Sequence, residues 1–212
     1  MEWLVSDARN LQAIDHKVDA HSFSPAEYEV VRRAIYATGD LEYSRLIQFS
    51  ERALQSGAAA LASRSTIVVD VPMIQVGIAS EIQATFANPV YCGMDAITRP
   101  QRGGSQVAIG INALAKRYPE GIFVVGASQA ALETIVELVE LEQIKPALVI
   151  GTPAGFLEAD VLKARLQDSL VPHIRIDGCK GNAAVATAIL DGLIELAWKA
   201  YSREEKVVAN SL

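Results

Sequence analysis

Apolar and polar positions alternate along this chain in two rhythms, and the change of rhythm predicts where helices give way to strands. Over residues 24–39, Val30, Val31, Ala34 and Ile35 recur at helical spacing. Ser24-Pro25-Ala26-Glu27 opens that helix. The serine oxygen can accept from an orphan amide, proline suits the first helical position, and the glutamate can reach back to close a capping box. The helix ends near Thr38-Gly39. A second helix is expected after Asp40, carrying Leu41, Ile47 and Phe49, with a third over residues 50–62.

From residue 66 short apolar runs with no helical period take over. Thr66 to Val69, Ile122 to Val125, Pro146 to Ile150 and His173 to Ile176 read as strands. Helices are expected between and after the later ones, over residues 129–142, 157–167 and 182–201. Strands apolar on every residue must be covered on both faces. The predicted fold class is therefore α/β, a mostly parallel sheet with helices on both faces. With no repeat, linker or composition break, residues 1–212 read as a single domain, residues 1–23 forming an N-terminal segment and 202–212 a polar tail.

Half of the residues are hydrophobic and the formal net charge is −6. That is too apolar for a disordered chain. The longest apolar runs, residues 121–125 and 147–150, are too short to cross a membrane, so no membrane association is expected. A pI near 5.1 and the lack of a basic stretch argue against a nucleic-acid partner. The start, MEWLVSDARN, does not read as a secretory signal. Cys92 and Cys179, the only cysteines, fit neither a disulfide framework nor a metal site, which suits free thiols in a cytoplasmic protein.

Three predicted strands end in small residues: Gly126-Ala127-Ser128, Gly151-Thr152-Pro153-Ala154-Gly155 and Gly178-Cys179-Lys180-Gly181. Ligands of open α/β sheets sit beyond the carboxyl ends of strands, so these ends predict one cleft. None reads as a dinucleotide or nucleoside triphosphate loop. His16, His21 and His173 are scattered, and Glu133, Glu137, Glu140 and Glu142 suit a solvated helix face better than a metal site. Asp70, directly after an apolar strand, is a candidate either for contacting a ligand or for capping the following turn.

Residues 33–40, Arg-Ala-Ile-Tyr-Ala-Thr-Gly-Asp, resemble the R-x-I-H-A-T-G-D segment of the precorrin-8X methylmutase family, and Glu42 and Phe49-Ser50 continue the likeness. Residues 67–70 with Met73 and Gly77 resemble its strand followed by D-x-x-M-x-x-x-G. Gly126 to Leu132 stands where G-N-A-P-T-A-L belongs, and residues 150–156, with Ala159 and Lys163, resemble I-G-x-P-V-G-F and its continuation. Gly178 to Ala183 takes the place of G-x-K-G-G-S. Five blocks in register span residues 24–200.

The resemblance implies a homodimeric α/β isomerase of cobalamin biosynthesis that moves a methyl group from C11 to C12 of a corrin precursor. The product would be hydrogenobyrinic acid or its cobalt-containing equivalent. It implies a tetrapyrrole ligand, no redox cofactor and no metal site of the protein's own. It places Tyr36 at the position of the acid histidine, and Thr38, Asp70, Met73, Gln106, Gly126, Ala127, Ser128, Gln129, Gly155, Lys180, Gly181 and Asn182 at substrate-binding positions.

Several of these positions depart from the family pattern. A phenol ordinarily has a pKa near 10 and an imidazolium near 6.5, so a tyrosine proton is about 5 kcal/mol harder to give away. Gln106 stands where an arginine belongs, losing a charged, forked donor. Arg102 is near enough to substitute, whereas using Arg99 would require a seven-residue shift. Two expectations follow: a methylmutase with an unusual acid, or a non-catalytic relative that binds a tetrapyrrole as carrier, sensor or partner subunit.

Overall fold

The central strands send side chains alternately to the two faces of the sheet, and all but the last, which carries His173 and Arg175 on one face, are apolar or glycine at every position. In the computed structural model, which describes residues 5–96 and 105–209, these are β2 (Ile67–Val69), β4 (Ile122–Val125), β5 (Leu148–Gly151) and β6 (His173–Ile176). Ile67, Val69, Ile122, Val124, Leu148 and Ile150 face one core, whereas Val68, Phe123, Val125 and Val149 face the other. All are fully buried, and each such side chain stabilises the fold by about 1.5–3 kcal/mol.

Two edge strands complete the sheet, β1 (Ile47–Phe49) and β3 (Val90–Cys92), in the order β1-β6-β5-β4-β2-β3. Every pairing is parallel except β1 with β6. Helices α2 (Pro25–Thr38), α4 (Ala53–Ala62), α5 (Pro72–Ala84) and α9 (Ala183–Ala209) cover the first core. Helices α6 (Gln106–Arg117), α7 (Gln129–Glu140) and α8 (Ala159–Asp168) cover the second. The chain thus folds as the mostly parallel, doubly covered sheet that its apolar runs predict.

Helix α2 begins as expected. Glu27 N–H donates to Ser24 Oγ at 3.3 Å, and Ser24 N–H donates to Glu27 Oε2 at 2.8 Å. It ends at Gly39, whose φ of +68° only glycine adopts freely and whose N–H donates to Ile35 O at 2.7 Å.

One expectation is corrected, and two terminal segments gain detail. The helix over Leu41, Ile47 and Phe49 is one turn, α3 (Tyr43–Leu46), followed by strand β1. Ile47 and Phe49 both reach the first core at a period of two, and the backbone pairs with Ile176 and Ile174 of β6. The N-terminal segment carries α1 (Val5–Asp15), docked on α2 by Tyr28 Oη and Arg32, which donate to Asp15 at 2.9 and 3.1 Å. The polar tail expected from residue 202 is helical to Ala209 as part of α9.

Candidate functional site

The chain leaves β2 for one face of the sheet, through α5, and leaves β4 for the other, through α7. Between these neighbouring strands the connections diverge, which is the position at which open α/β sheets take ligands. Asp70, directly after β2, is fully buried there. Its carboxylate accepts N–H bonds from Gly126 at 3.1 Å and from Ala127 and Ser128 at 2.8 Å each. Asp70 caps the loop of the adjacent strand rather than its own turn, and acts on anything bound there through residues 126–128. Ser128 Oγ in turn accepts from Ala131 N–H at 3.2 Å and starts α7.

The loops after β5 and β6 are tied to this one. Gln129 Nε2 donates to Ala154 O at 2.9 Å, Gly155 N–H to Cys179 O at 3.1 Å, and Thr152 Oγ1 to Asn182 O at 3.2 Å. Gly181 has φ +133°, and a Cβ there would overlap the Thr152 carbonyl, so close approach and conformation both require glycine. Asn182 Oδ1 accepts from Val185 N–H at 3.0 Å and starts α9. A Cβ on Gly126 would lie 2.7 Å from Ala183 Cα, so the start of α9 rests on the loop that starts α7. Gly126, Ala127, Ser128, Gln129, Gly155, Lys180, Gly181 and Asn182 therefore converge in space as the glycine-bearing strand ends predict.

Beneath the β6–α9 loop lies a buried cation. Lys163, on α8, is 1% exposed, and its Nζ donates to Gly178 O at 2.8 Å and Lys180 O at 3.1 Å. Burial pushes its pKa down, an effect opposed by the nearby Asp160 and Cys179. The sequence signal is that Ala159, Leu162, Lys163 and Leu166 form one buried helical stripe with a lysine inside it. The family likeness touched Lys163 without giving it a role.

Lys180 pairs with Asp40 at 2.5 Å and also with Glu42. The hydrogen bonds that Lys180 donates to both carboxylates raise its pKa, and the same contact lowers that of Asp40. This link fastens the end of α2, which carries Tyr36 and Thr38, to the β6–α9 loop. Tyr36 is 40% exposed. Thr38 Oγ1 works locally, donating to Ala34 O at 2.8 Å and accepting from Asp40 N–H at 3.2 Å. Met73 is exposed on the first turn of α5. Gln106 is the exposed first residue of α6 and adjoins residues 97–104, which, with Arg99 and Arg102, lie outside the described residues.

Among the described residues no group of three or more His, Cys, Asp or Glu side chains could hold a metal ion. His173 sits at the opposite end of β6 from the cleft, its Nδ1 2.9 Å from Val171 O, and His21 stacks on Tyr28. Cys92 and Cys179 are both free thiols. No described helix is long and apolar enough to cross a membrane.

Helix amino ends and lysine ammonium groups stabilise negative charge. The N–H groups before α7 are already taken by the Asp70 carboxylate, and the Lys180 ammonium is shared between Asp40 and Glu42. These features define the class: an open, doubly covered α/β sheet whose loops after β4, β5 and β6 meet at its carboxyl edge. The chain belongs to the precorrin-8X methylmutase family, whose profile matches residues 7–196. It is 35% identical over 202 residues to the cobalt-precorrin-8 methylmutase of Synechocystis sp., covering 88% of this chain and 92% of that one. It is also 35% identical over 190 residues to the enzyme of that name from Methanocaldococcus jannaschii, covering 88% and 85%. A solved precorrin-8X methylmutase from Thermus thermophilus superposes with a TM-score of 0.83 at 32% identity, over 92% of this chain and 96% of that one.

Proposed function

We propose that the protein acts on a corrin precursor, precorrin-8 or its cobalt form, moving a methyl group from C11 to C12 within one molecule. The observation that carries this reading is the interlocking of the loops after β4, β5 and β6 around the amino ends of α7 and α9, with Lys180 beside them. In this reading an acid side chain of the tetrapyrrole meets the amino end of α9 and takes the place of Asp40 or Glu42 on Lys180, while the amides of residues 126–128 stay on Asp70. Residues 126–129, 155 and 180–182 are the binding residues in this reading. Asp70 and Thr38 support them by holding the loop after β4 and the end of α2.

In this reading Tyr36, which stands at the position of the family's acid histidine, donates the proton that lets the methyl migrate. Its phenol is a far weaker acid than an imidazolium, by about 5 kcal/mol, and this observation favours the second reading, a relative that binds the macrocycle without turning it over. In either reading the protein works in the cytoplasm as a homodimer. The exposed side chains of Met73 and Val76 on α5, and of Tyr91 and Met94 on and beside the edge strand β3, supply an apolar face for the second copy.

The test is to mix precorrin-8 with the protein and with Tyr36→His and Tyr36→Phe, and to follow the visible spectrum. Conversion by the unmodified protein that Tyr36→Phe abolishes supports the methylmutase reading. A stable bound spectrum without product, with turnover appearing in Tyr36→His, supports the binding reading. Absence of any spectral change refutes both.

A further inference from the structure

Lys163 is the most deeply buried cation in the neighbourhood of the cleft, and no ligand could touch it. Its two acceptors, the carbonyls of Gly178 and Lys180, flank Cys179 in the loop that carries Lys180 and Gly181. The intervening carbonyl, of Cys179, is held from a different loop by Gly155 N–H. Three consecutive peptide groups are thereby fixed in orientation. In a planar trans peptide the N–H points opposite to the C=O. Turning the carbonyls of Gly178 and Lys180 onto Lys163 therefore turns the N–H groups of Cys179 and Gly181 away from α8. Among the described residues neither N–H has a hydrogen-bond partner in the protein.

An arginine or a neutral residue would not serve equally. The compact ammonium meets two carbonyls at 2.8 and 3.1 Å, whereas a guanidinium presents a wide, planar fork. Burying a lysine among apolar residues is costly, and the two carbonyls offset that cost only while the loop keeps this shape. The loop shape and the buried charge therefore stabilise each other.

We propose that Lys163 is a positioning residue of the cleft: it sets residues 178–181 so that the Cys179 and Gly181 amides receive a carboxylate of the ligand, for which the Lys180 ammonium exchanges one of its two partners, Asp40 or Glu42. The inference rests on the reading of the cleft as a tetrapyrrole site. It adds a residue that works only through the backbone of the loop.

The test compares the protein with Lys163→Met, Lys180→Met and the double variant. Hydrogenobyrinic acid is the titrated probe, and 15N-amide spectra report on residues 178–181. Lys163→Met is expected to melt cooperatively, to shift and broaden the 178–181 resonances, and to bind the probe at least about tenfold more weakly, the scale of one lost charge-assisted contact. Lys180→Met is expected to cost less in the Lys163→Met background than alone, because the loop presenting it has already moved. Lys163→Gln, which keeps one amide donor, carries the same test if Lys163→Met does not fold, with an intermediate loss. A folded variant with a lowered Tm but unchanged loop resonances and unchanged affinity overturns the proposal. If the unmodified protein does not bind hydrogenobyrinic acid, the tetrapyrrole reading fails. The amide spectra then decide separately whether Lys163 orders the loop.

Discussion

Replacing Asp70 by asparagine changes one atom and tests how the floor of the cleft is held. The carboxylate is fully buried and accepts three backbone N–H bonds, two on Oδ2 and one on Oδ1. Asparagine in its best orientation keeps its oxygen at the Oδ2 position and turns its NH2 toward Gly126 N–H, donor against donor. A buried unpaired donor costs about 1–3 kcal/mol. The two surviving bonds fall from charge-assisted to neutral strength, roughly half. Removing a buried charge recovers some desolvation energy, but three N–H donors already solvate this carboxylate, so the recovery is the smaller effect. The net expectation is a loss of about 2–4 kcal/mol, which for a chain of this size lowers Tm by about 4–16 °C. Urea unfolding at neutral pH with an unchanged m-value measures it. A loss below about 0.5 kcal/mol, the level of an ordinary surface change, would show that the loop after β4 holds its shape without Asp70.

Two further predictions follow from the same coordinates. Gly181→Ala is expected to destabilise more than Gly155→Ala, because its Cβ meets backbone at a φ of +133° while the Cβ of residue 155 meets chiefly the movable end of Gln129; equal melting shifts in the two variants would contradict this. His173 is buried, and burial pushes its pKa down against the opposing contact with Val171 O. Its contribution is therefore complete above the unfolded value of about 6.5 and is lost as pH falls from there through the depressed folded value. Stability measured from about pH 7.5 downward should fall more steeply in the unmodified protein than in His173→Asn, and parallel curves would exclude His173 as the cause.

The central strands were legible because residues such as Ile122 to Val125 are apolar on successive positions, which only a strand covered on both faces requires. Edge strand β1 was not. Its partner β6 lies more than a hundred residues away in sequence, and Ile47 and Phe49 alone do not separate a period of two from a helix. Helix α5 was obscured because Met73 and Val76 are exposed while Ile74, Ile78 and Ile82 are buried, leaving little polar contrast. The glycine-bearing strand ends were legible as loops on one edge of the sheet, where the structure ties them together. The partners of Asp70 and Lys163 could not be read, because they are backbone groups of other loops and have no side-chain signature.

The first described strand pairs with the last, and α9 packs on α2, α4 and α5, all from the first half of the chain. The face formed by α6, α7 and α8 has no such dependence, since its helices adjoin one another in sequence. During synthesis the second face can therefore close while the first still lacks its covering helix. Until β6 and α9 leave the ribosome, Ile47, Leu61, Ile74 and Ile150 stay open to water and to neighbouring chains. A stop codon or a slow stretch of translation near residue 180 would leave a half-covered, adhesive intermediate rather than a weakened native fold. Chaperone dependence should accordingly depend on how quickly the last strand and helix are made.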